Sequence, residues 1–169
     1  MSHDRVLTLD SATKFGSDAV GSVALAASHG GVYAAHVSIA AGIVGLVLND
    51  AGVGLERAGI GGLAYLDAIG IPCAAIDHRS ARIGDGVDCM TRGVISYANA
   101  VAMKLGIEPG MRAQEATKRM QVLELTPVRP PPLPGEARAP MPVDGAVRPV
   151  WLVDSASLIG PEDEGAVVV

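Results

Sequence analysis

A chain of 169 residues and 17.2 kDa, 49% hydrophobic and only 18% charged, has the size of one ordinary domain with a buried core, which excludes intrinsic disorder and a coiled coil as accounts of the whole. A net charge of −5, a pI near 5.2 and 3% aromatic residues exclude the basic, ring-bearing surface of a nucleic-acid binder. With one Phe, one Trp, three Tyr and 21 Gly, the core has to be built from Ala, Val, Leu and Ile on closely approaching backbones.

The opening stretch MSHDRVLTLD carries acids and no apolar run, so no secretory signal is expected. Cys73 and Cys89 form no C-x-x-C pair and imply neither a disulfide framework nor a thiolate zinc site; a reducing compartment fits, and cytoplasm is the expected location. Residues 22–27 (SVALAA) read as a strand, SHGG as the turn after it, and 32–41 as a helix. Residues 43–48 form the next strand, followed by NDAG and a helix over 55–69 that Gly70 ends. Residues 71–76 (IPCAAI) make a third strand, after which the loop DHRSARIGDG opens a long helix. Its Val87, Met90, Val94, Ala98, Val101 and Leu105 share one face, and Gly106 and Pro109 close it. A shorter helix is expected over 111–120. The uncharged run 30–48 approaches a bilayer-spanning length, but His36, Ser38, Gly42 and Gly45 interrupt it and no Lys/Arg cluster flanks it. A helix and a buried strand account for it better, and no membrane partner is expected.

This alternation predicts a three-layer α/β domain over residues 1–126, with a mainly parallel sheet and crossover helices of the Rossmann-like or flavodoxin-like kind. Residues 127–149 hold eight of the eleven prolines and read as an arm without regular structure. Its PxxP strings, 127–130 and 131–134, would suit a polyproline-binding domain, although a stiff arm is the simpler role. Residues 150–169 then echo 6–25 without a gap, VWLVDSASLIGPEDEGAVVV on VLTLDSATKFGSDAVGSVAL. The identities are Val6/Val150, Asp10/Asp154, Ser11/Ser155, Ala12/Ala156, Gly16/Gly160, Gly21/Gly165 and Val23/Val167. Each copy reads as a strand ending in Asp-Ser, a polar turn and a second strand. The C-terminal segment is therefore expected to pack on the same sheet or on a neighbour's in a homo-oligomer.

Ligands of open parallel sheets bind beyond the carboxyl ends of the strands, and polar residues collect there: Asp10-Ser11, Ser28-His29-Gly30-Gly31, Asn49-Asp50, and the loop from Asp77 to Asp85. A small polar substrate, anionic or amide-like, is expected at these loops. The candidate catalytic residues are Ser28, His29, Asp50, Asp77 and His78, and the candidate binding residues are Asp10, Ser11, Gly30, Gly31, Asn49, Arg79, Ser80 and Arg82. In one reading the SHGG amides and the forks of Arg79 and Arg82 hold an anion. His78 or His29, paired with Asp50 or Asp77, then moves a proton as in a hydrolase, lyase or isomerase. Salt bridges from the arginines to Asp85 or Asp88 are the plain structural alternative. In a second reading Ala26-Ala27-Ser28-His29-Gly30-Gly31 resembles the small-x-Ser-x-Gly-Gly nucleophile elbow of serine hydrolases, which implies a Ser28 nucleophile served by Asp50 and His78. No motif requires a cofactor, but Asp10, His29, Asp50, Asp77 and His78 could converge on a divalent metal. A non-catalytic ligand-binding or assembly subunit is the competing class. Finally, Gly59-Ile60-Gly61-Gly62-Leu63-Ala64 fits G-x-G-x-x-A, yet no strand precedes it, so a close-packing face or a later helix start is expected instead.

Overall fold

The computed structural model describes residues 6–122, 126–133 and 135–169; the first five residues, and Pro134 of the second PxxP string, lie outside them. The chain divides into two compact units, Met1–Pro131 and Pro132–Val169.

The first unit is a mixed α/β structure. Strands β1 (Val6–Leu9), β2 (Val23–His29), β3 (Gly45–Asn49) and β4 (Cys73–Ile76) pair in parallel in chain order, and β5 (Ile95–Ala98) adds antiparallel to β4. Strands β2, β3 and β4 are almost wholly buried and apolar, as strands covered on both faces must be. Side chains alternate between two cores. Ala24, Ala26, Leu46, Leu48, Cys73 and Ala75 face one layer with helices α1 (Val32–Ala40) and α2 (Gly61–Asp67). Val23, Leu25, Val47, Ala74 and Ile76 face the other, with α3 (Gly86–Arg92), α4 (Ala100–Lys104) and α5 (Ala113–Gln121). The helices thus cover both faces of the sheet, and none of the described helices is long and apolar enough to cross a membrane.

Two helices differ from the sequence reading. The long helix from Val87 does not exist; α3 stops at Arg92, residues 95–98 form β5, and α4 starts afresh. The 3–4 spacing of apolar residues coincides with two short helices flanking a strand. Gly93 sits where a Cβ would meet the Cys89 carbonyl oxygen at 2.3 Å, and Asn99 caps α4 by accepting the Ala102 N–H at 2.9 Å. The helix expected from residue 55 begins only at Gly61, after a distorted 3-10 stretch, Leu55–Ile60, in which Glu56 and Arg57 have φ of 54° and 62°.

The glycines 59–62 do serve close packing. A Cβ on Gly59 would lie 2.3 Å from the Asp50 carbonyl oxygen, and one on Gly62 would lie 2.8 Å from that of Gly30 and 2.9 Å from Ala35 Cβ. The Gly62 N–H donates to the Gly30 carbonyl at 2.8 Å. The start of α2 is thereby pressed against the turn between β2 and α1.

The proline-rich stretch 127–149 is not wholly irregular. Val128 packs on the core of the first unit and the Pro131 carbonyl accepts the Tyr65 hydroxyl at 3.0 Å, while residues Arg138–Pro140 form strand β6 in the second unit. There β6 pairs antiparallel with β7 (Val150–Val153), which pairs in parallel with β8 (Val167–Val168). The C-terminal segment therefore belongs to a three-stranded sheet of its own.

β7 to β8 repeats β1 to β2 in detail. Val6 pairs with Val23 and Val150 with Val167, each in parallel. Both connections contain two 3-10 turns, Ala12–Lys14 and Ser17–Ala19 in one, Ala156–Leu158 and Pro161–Asp163 in the other. Both end in a left-handed glycine, Gly21 at φ 77° and Gly165 at φ 81°. The covering differs. Leu7 and Ala19 are buried in the first unit, whereas their counterparts are Trp151 and Asp163. Arg138 bridges these, its guanidinium 4.4 Å from the Trp151 ring and paired with the Asp163 carboxylate.

Candidate functional site

The carboxyl ends of β3 and β4, with the first residues of β5, bring one connected polar group together. Because β5 is antiparallel, its start lies beside the end of β4. The β4–β5 register places Ala75 opposite Tyr97 and Ile76 opposite Ile95, so Ser96 is an extra residue, a β-bulge that turns its side chain to the strand ends.

Asp50, 3% exposed, is the hub. Its Oδ1 accepts the Gly52 N–H (2.9 Å), the His78 N–H (3.1 Å) and His78 Nδ1 (2.8 Å), and its Oδ2 accepts the Ser96 hydroxyl (2.8 Å). Burial pushes the Asp50 carboxyl up, but the hydrogen bonds from Gly52, Ser96 and His78 outweigh it and hold the group below the ordinary carboxylate value. Nδ1 of His78 faces a carboxylate and so carries the ring proton, leaving Nε2 as the basic nitrogen on a ring whose side chain is 45% exposed. The arrangement is a carboxylate-oriented imidazole with a hydroxyl fixing the carboxylate.

The loop that follows β3 wraps this group and is strained. Ala51, Val53, Glu56 and Arg57 have φ of 50°, 69°, 54° and 62°, with Gly52 and Gly54 also positive. A β-branched residue such as Val53 rarely adopts that conformation, and strain of this kind collects at functional sites. The far part of the loop borders a cavity of about 380 Å³ lined by Glu56, Arg57, Ile60, Leu63, Asp67 and Tyr97 among others. Arg57 lies over the Tyr97 ring at 5.5 Å. The cavity shares this loop and strand β5 with the dyad, although neither Asp50 nor His78 lines it.

The remaining candidates are placed as follows. Asp77 holds Arg79 by both carboxylate oxygens (3.0 and 2.9 Å), and the Arg79 side-chain hydrogen bonds bring the Asp77 carboxyl down to about 2. Asp77 Oδ1 is 3.6 Å from His78 Nδ1. Ligand atoms of Asp50, Asp77 and His78 lie within 4.8 Å of one another, while the carboxylate oxygens also accept N–H groups and the Arg79 guanidinium. Arg82 lies 3.6 Å from Asp85 and its backbone N–H donates to Asp88, the plain structural alternative. Ser80 Oγ donates to the Asp77 carbonyl and accepts the Val94 N–H, tying the loop to the start of β5.

Ser28 lies within β2, beside the strand that ends at Asp50 but separated by that strand from β4 and His78, and its Oγ accepts the Ala12 N–H at 2.9 Å. Its backbone is not left-handed, unlike that of a strained elbow. The SHGG amides are engaged internally: the Gly30 N–H donates to the Asn49 carbonyl (2.7 Å) and the Gly31 N–H to His29 Nδ1 (3.2 Å). Asp10 accepts the Gly86 N–H, and Ser11 caps the first 3-10 turn. Asn49 is buried and its Oδ1 accepts the Ala51 N–H at 2.9 Å. Cys89 is buried with its thiol donating to the Arg82 carbonyl at 3.2 Å, and burial pushes that thiol up to about 11; Cys73 is shifted upward more strongly by complete burial.

Ser96 is the participant that the sequence reading missed, since it sat inside the expected long helix. The signal available was Val94-Ile95-Ser96-Tyr97, a β-favouring run between Gly93 and the capping Asn99. Comparison with known proteins finds no matching family model, no matching curated protein and no matching solved structure.

Proposed function

We propose that the first unit is an enzyme of acid–base type acting on a small polar molecule, with Nε2 of His78 giving and taking the proton, Asp50 orienting the ring and Ser96 orienting Asp50. The observation that carries this reading is the 2.8 Å contact between His78 Nδ1 and a buried carboxylate that has three further donors. Such a carboxylate fixes the tautomer and stabilises the imidazolium that forms when Nε2 is protonated. Arg79, held by Asp77 beside the dyad, supports a substrate of anionic or amide-like character, and hydrolase, lyase or isomerase chemistry is compatible with this proton handling. The layering supports a loose Rossmann-like description, with the strand order 1-2-3-4-5 in place of a reversal. Two unpaired cysteines support a reducing, cytoplasmic setting.

The test has two arms. Nitrogen-detected NMR should show the Nδ1–H tautomer of His78, and Asp50→Asn should abolish that preference. Against a panel of small esters, amides and hydroxy acids, any turnover found should fall by about 10²–10⁴-fold in His78→Gln. Turnover untouched by His78→Gln overturns the reading, and ligand-induced thermal stabilisation without turnover by the intact chain favours a binding module.

A further inference from the structure

Two residues of the cavity beside β5 carry donors that have no acceptor among the described residues. Arg79, Arg82, Arg92, Arg119 and Arg138 each pair with a side-chain carboxylate. Arg57 pairs with none of the described residues, although Glu56 and Asp67 line the same cavity. Its guanidinium sits 5.5 Å from the centre of the Tyr97 ring instead, and the Tyr97 hydroxyl makes no hydrogen bond within the described residues. Asp67 is engaged elsewhere, its Oδ1 accepting the Val101 N–H at 3.1 Å. Glu56 and Arg57 are both left-handed, a backbone conformation unfavourable for residues with a Cβ, so the placement of Arg57 on Tyr97 is held at a cost in strain. Ile60 and Leu63, both buried, give the cavity an apolar wall. Its volume of about 380 Å³ suits a small ligand.

We propose that this cavity binds a small organic monocarboxylate with an apolar body. A guanidinium over an aromatic face can still offer its N–H edge, and that edge takes a carboxylate by two parallel hydrogen bonds. The Tyr97 hydroxyl is a further donor, and the body of the ligand packs on Ile60 and Leu63. Glu56 and Asp67 set the charge of the ligand, because Arg57 neutralises one carboxylate and a second would meet two like charges. The cavity is separate from the His78 dyad, and the assignment stands whether or not that dyad turns over a substrate.

The experiment titrates the isotope-labelled full-length chain with benzoate at pH 7 and follows the Ile and Leu methyl resonances. The Ile60 and Leu63 methyls should move and saturate in the low millimolar range, about that of a single charged contact with a small apolar body. Benzamide has the same shape without the charge and should bind at least about tenfold more weakly. Terephthalate, with a second carboxylate, should also bind more weakly than benzoate. Arg57→Asn removes the guanidinium while keeping a residue that tolerates left-handed backbone, and it should cost at least about tenfold in benzoate affinity. If that variant disturbs the loop, the ratio of benzoate to benzamide affinity on the wild-type chain decides alone. His78→Gln should leave benzoate binding unchanged, so failure here is distinguishable from failure of the dyad reading. The proposal is overturned by Ile60 and Leu63 methyls that do not move at about 10 mM benzoate, by benzamide or benzylamine binding as tightly as benzoate, or by affinity unaltered in a folded Arg57→Asn variant.

Discussion

Replacing Ser96 by alanine separates a designed hydrogen-bond hub from an incidental contact. The hydroxyl reaches Asp50 Oδ2 at 2.8 Å, with the Ala75 carbonyl 3.2 Å away, and Asp50 is 3% exposed, so water has little access to replace the lost donor. A hydrogen bond to an ionised group contributes about 1.5–3 kcal/mol. With an unfolding entropy of about 2.1 cal/mol/K per residue, a cooperative unit of roughly 130 residues loses about 5–11 °C in Tm. All five described α-helices lie in the first unit, so the far-UV ellipticity melt reports it. The effect also has a pH signature. Asp50 titrates below its ordinary value in the folded state, so its contribution is present above the unfolded value of about 3.9 and is lost as pH falls through the folded value. The gap between wild type and Ser96→Ala should be full at pH 7 and narrow below about pH 4. Equal melting temperatures at pH 7, or a gap of the same size at pH 7 and pH 3, would refute the assignment of Ser96 to Asp50.

Two other substitutions probe the loop and the second unit. Ala51→Gly, at φ 50° and exposed, should stabilise the first unit by about 0.5–1 kcal/mol, whereas Ala64→Gly, exposed within α2, should destabilise it by about 1 kcal/mol; chemical denaturation that gives both the same sign contradicts the left-handed backbone. Arg138→Met removes the ion pair to Asp163 and the cation from the face of Trp151, so it should shift Trp emission and lower the unfolding midpoint read by that emission while leaving the far-UV melt unchanged; a shift in both melts would show the units to be coupled.

The legible parts of the fold were those with a single period. Residues 22–27, 43–48 and 71–76 are largely apolar runs, and each overlaps a buried strand whose ends lie within two residues of the limits read from the sequence. The segment 87–105 misled because two one-sided helices and a strand can mimic a single 3.6-residue stripe, and the breaks depend on Gly93 and on the cap at Asn99. The polar residues at the strand ends were legible because a buried sheet offers nowhere else for them. Their division of labour was not. Whether Asp50 faces His78, Ser28 or a metal depends on which strand neighbours which, and on a one-residue bulge that leaves no mark in the pattern. The duplicated segment was legible from its contiguous Asp-Ser-Ala and its glycine spacing, because the left-handed glycine and the paired turns constrain the same positions in both copies.

The order of the strands bears on how the chain acquires its structure during synthesis. Each strand of the first unit joins the one made just before it: Val6 with Val23, Val23 with Gly45, Leu46 with Cys73 and Ala74 with Ala98, partners never more than about 27 residues apart. No strand has to wait for a distant partner or be inserted between two others already paired. A nascent chain can therefore extend the sheet from one end as it leaves the ribosome, with one growing edge exposed at a time. The polar group forms late in this order, because Asp50 is made early but His78 arrives only with β4 and the bulged Ser96 with β5.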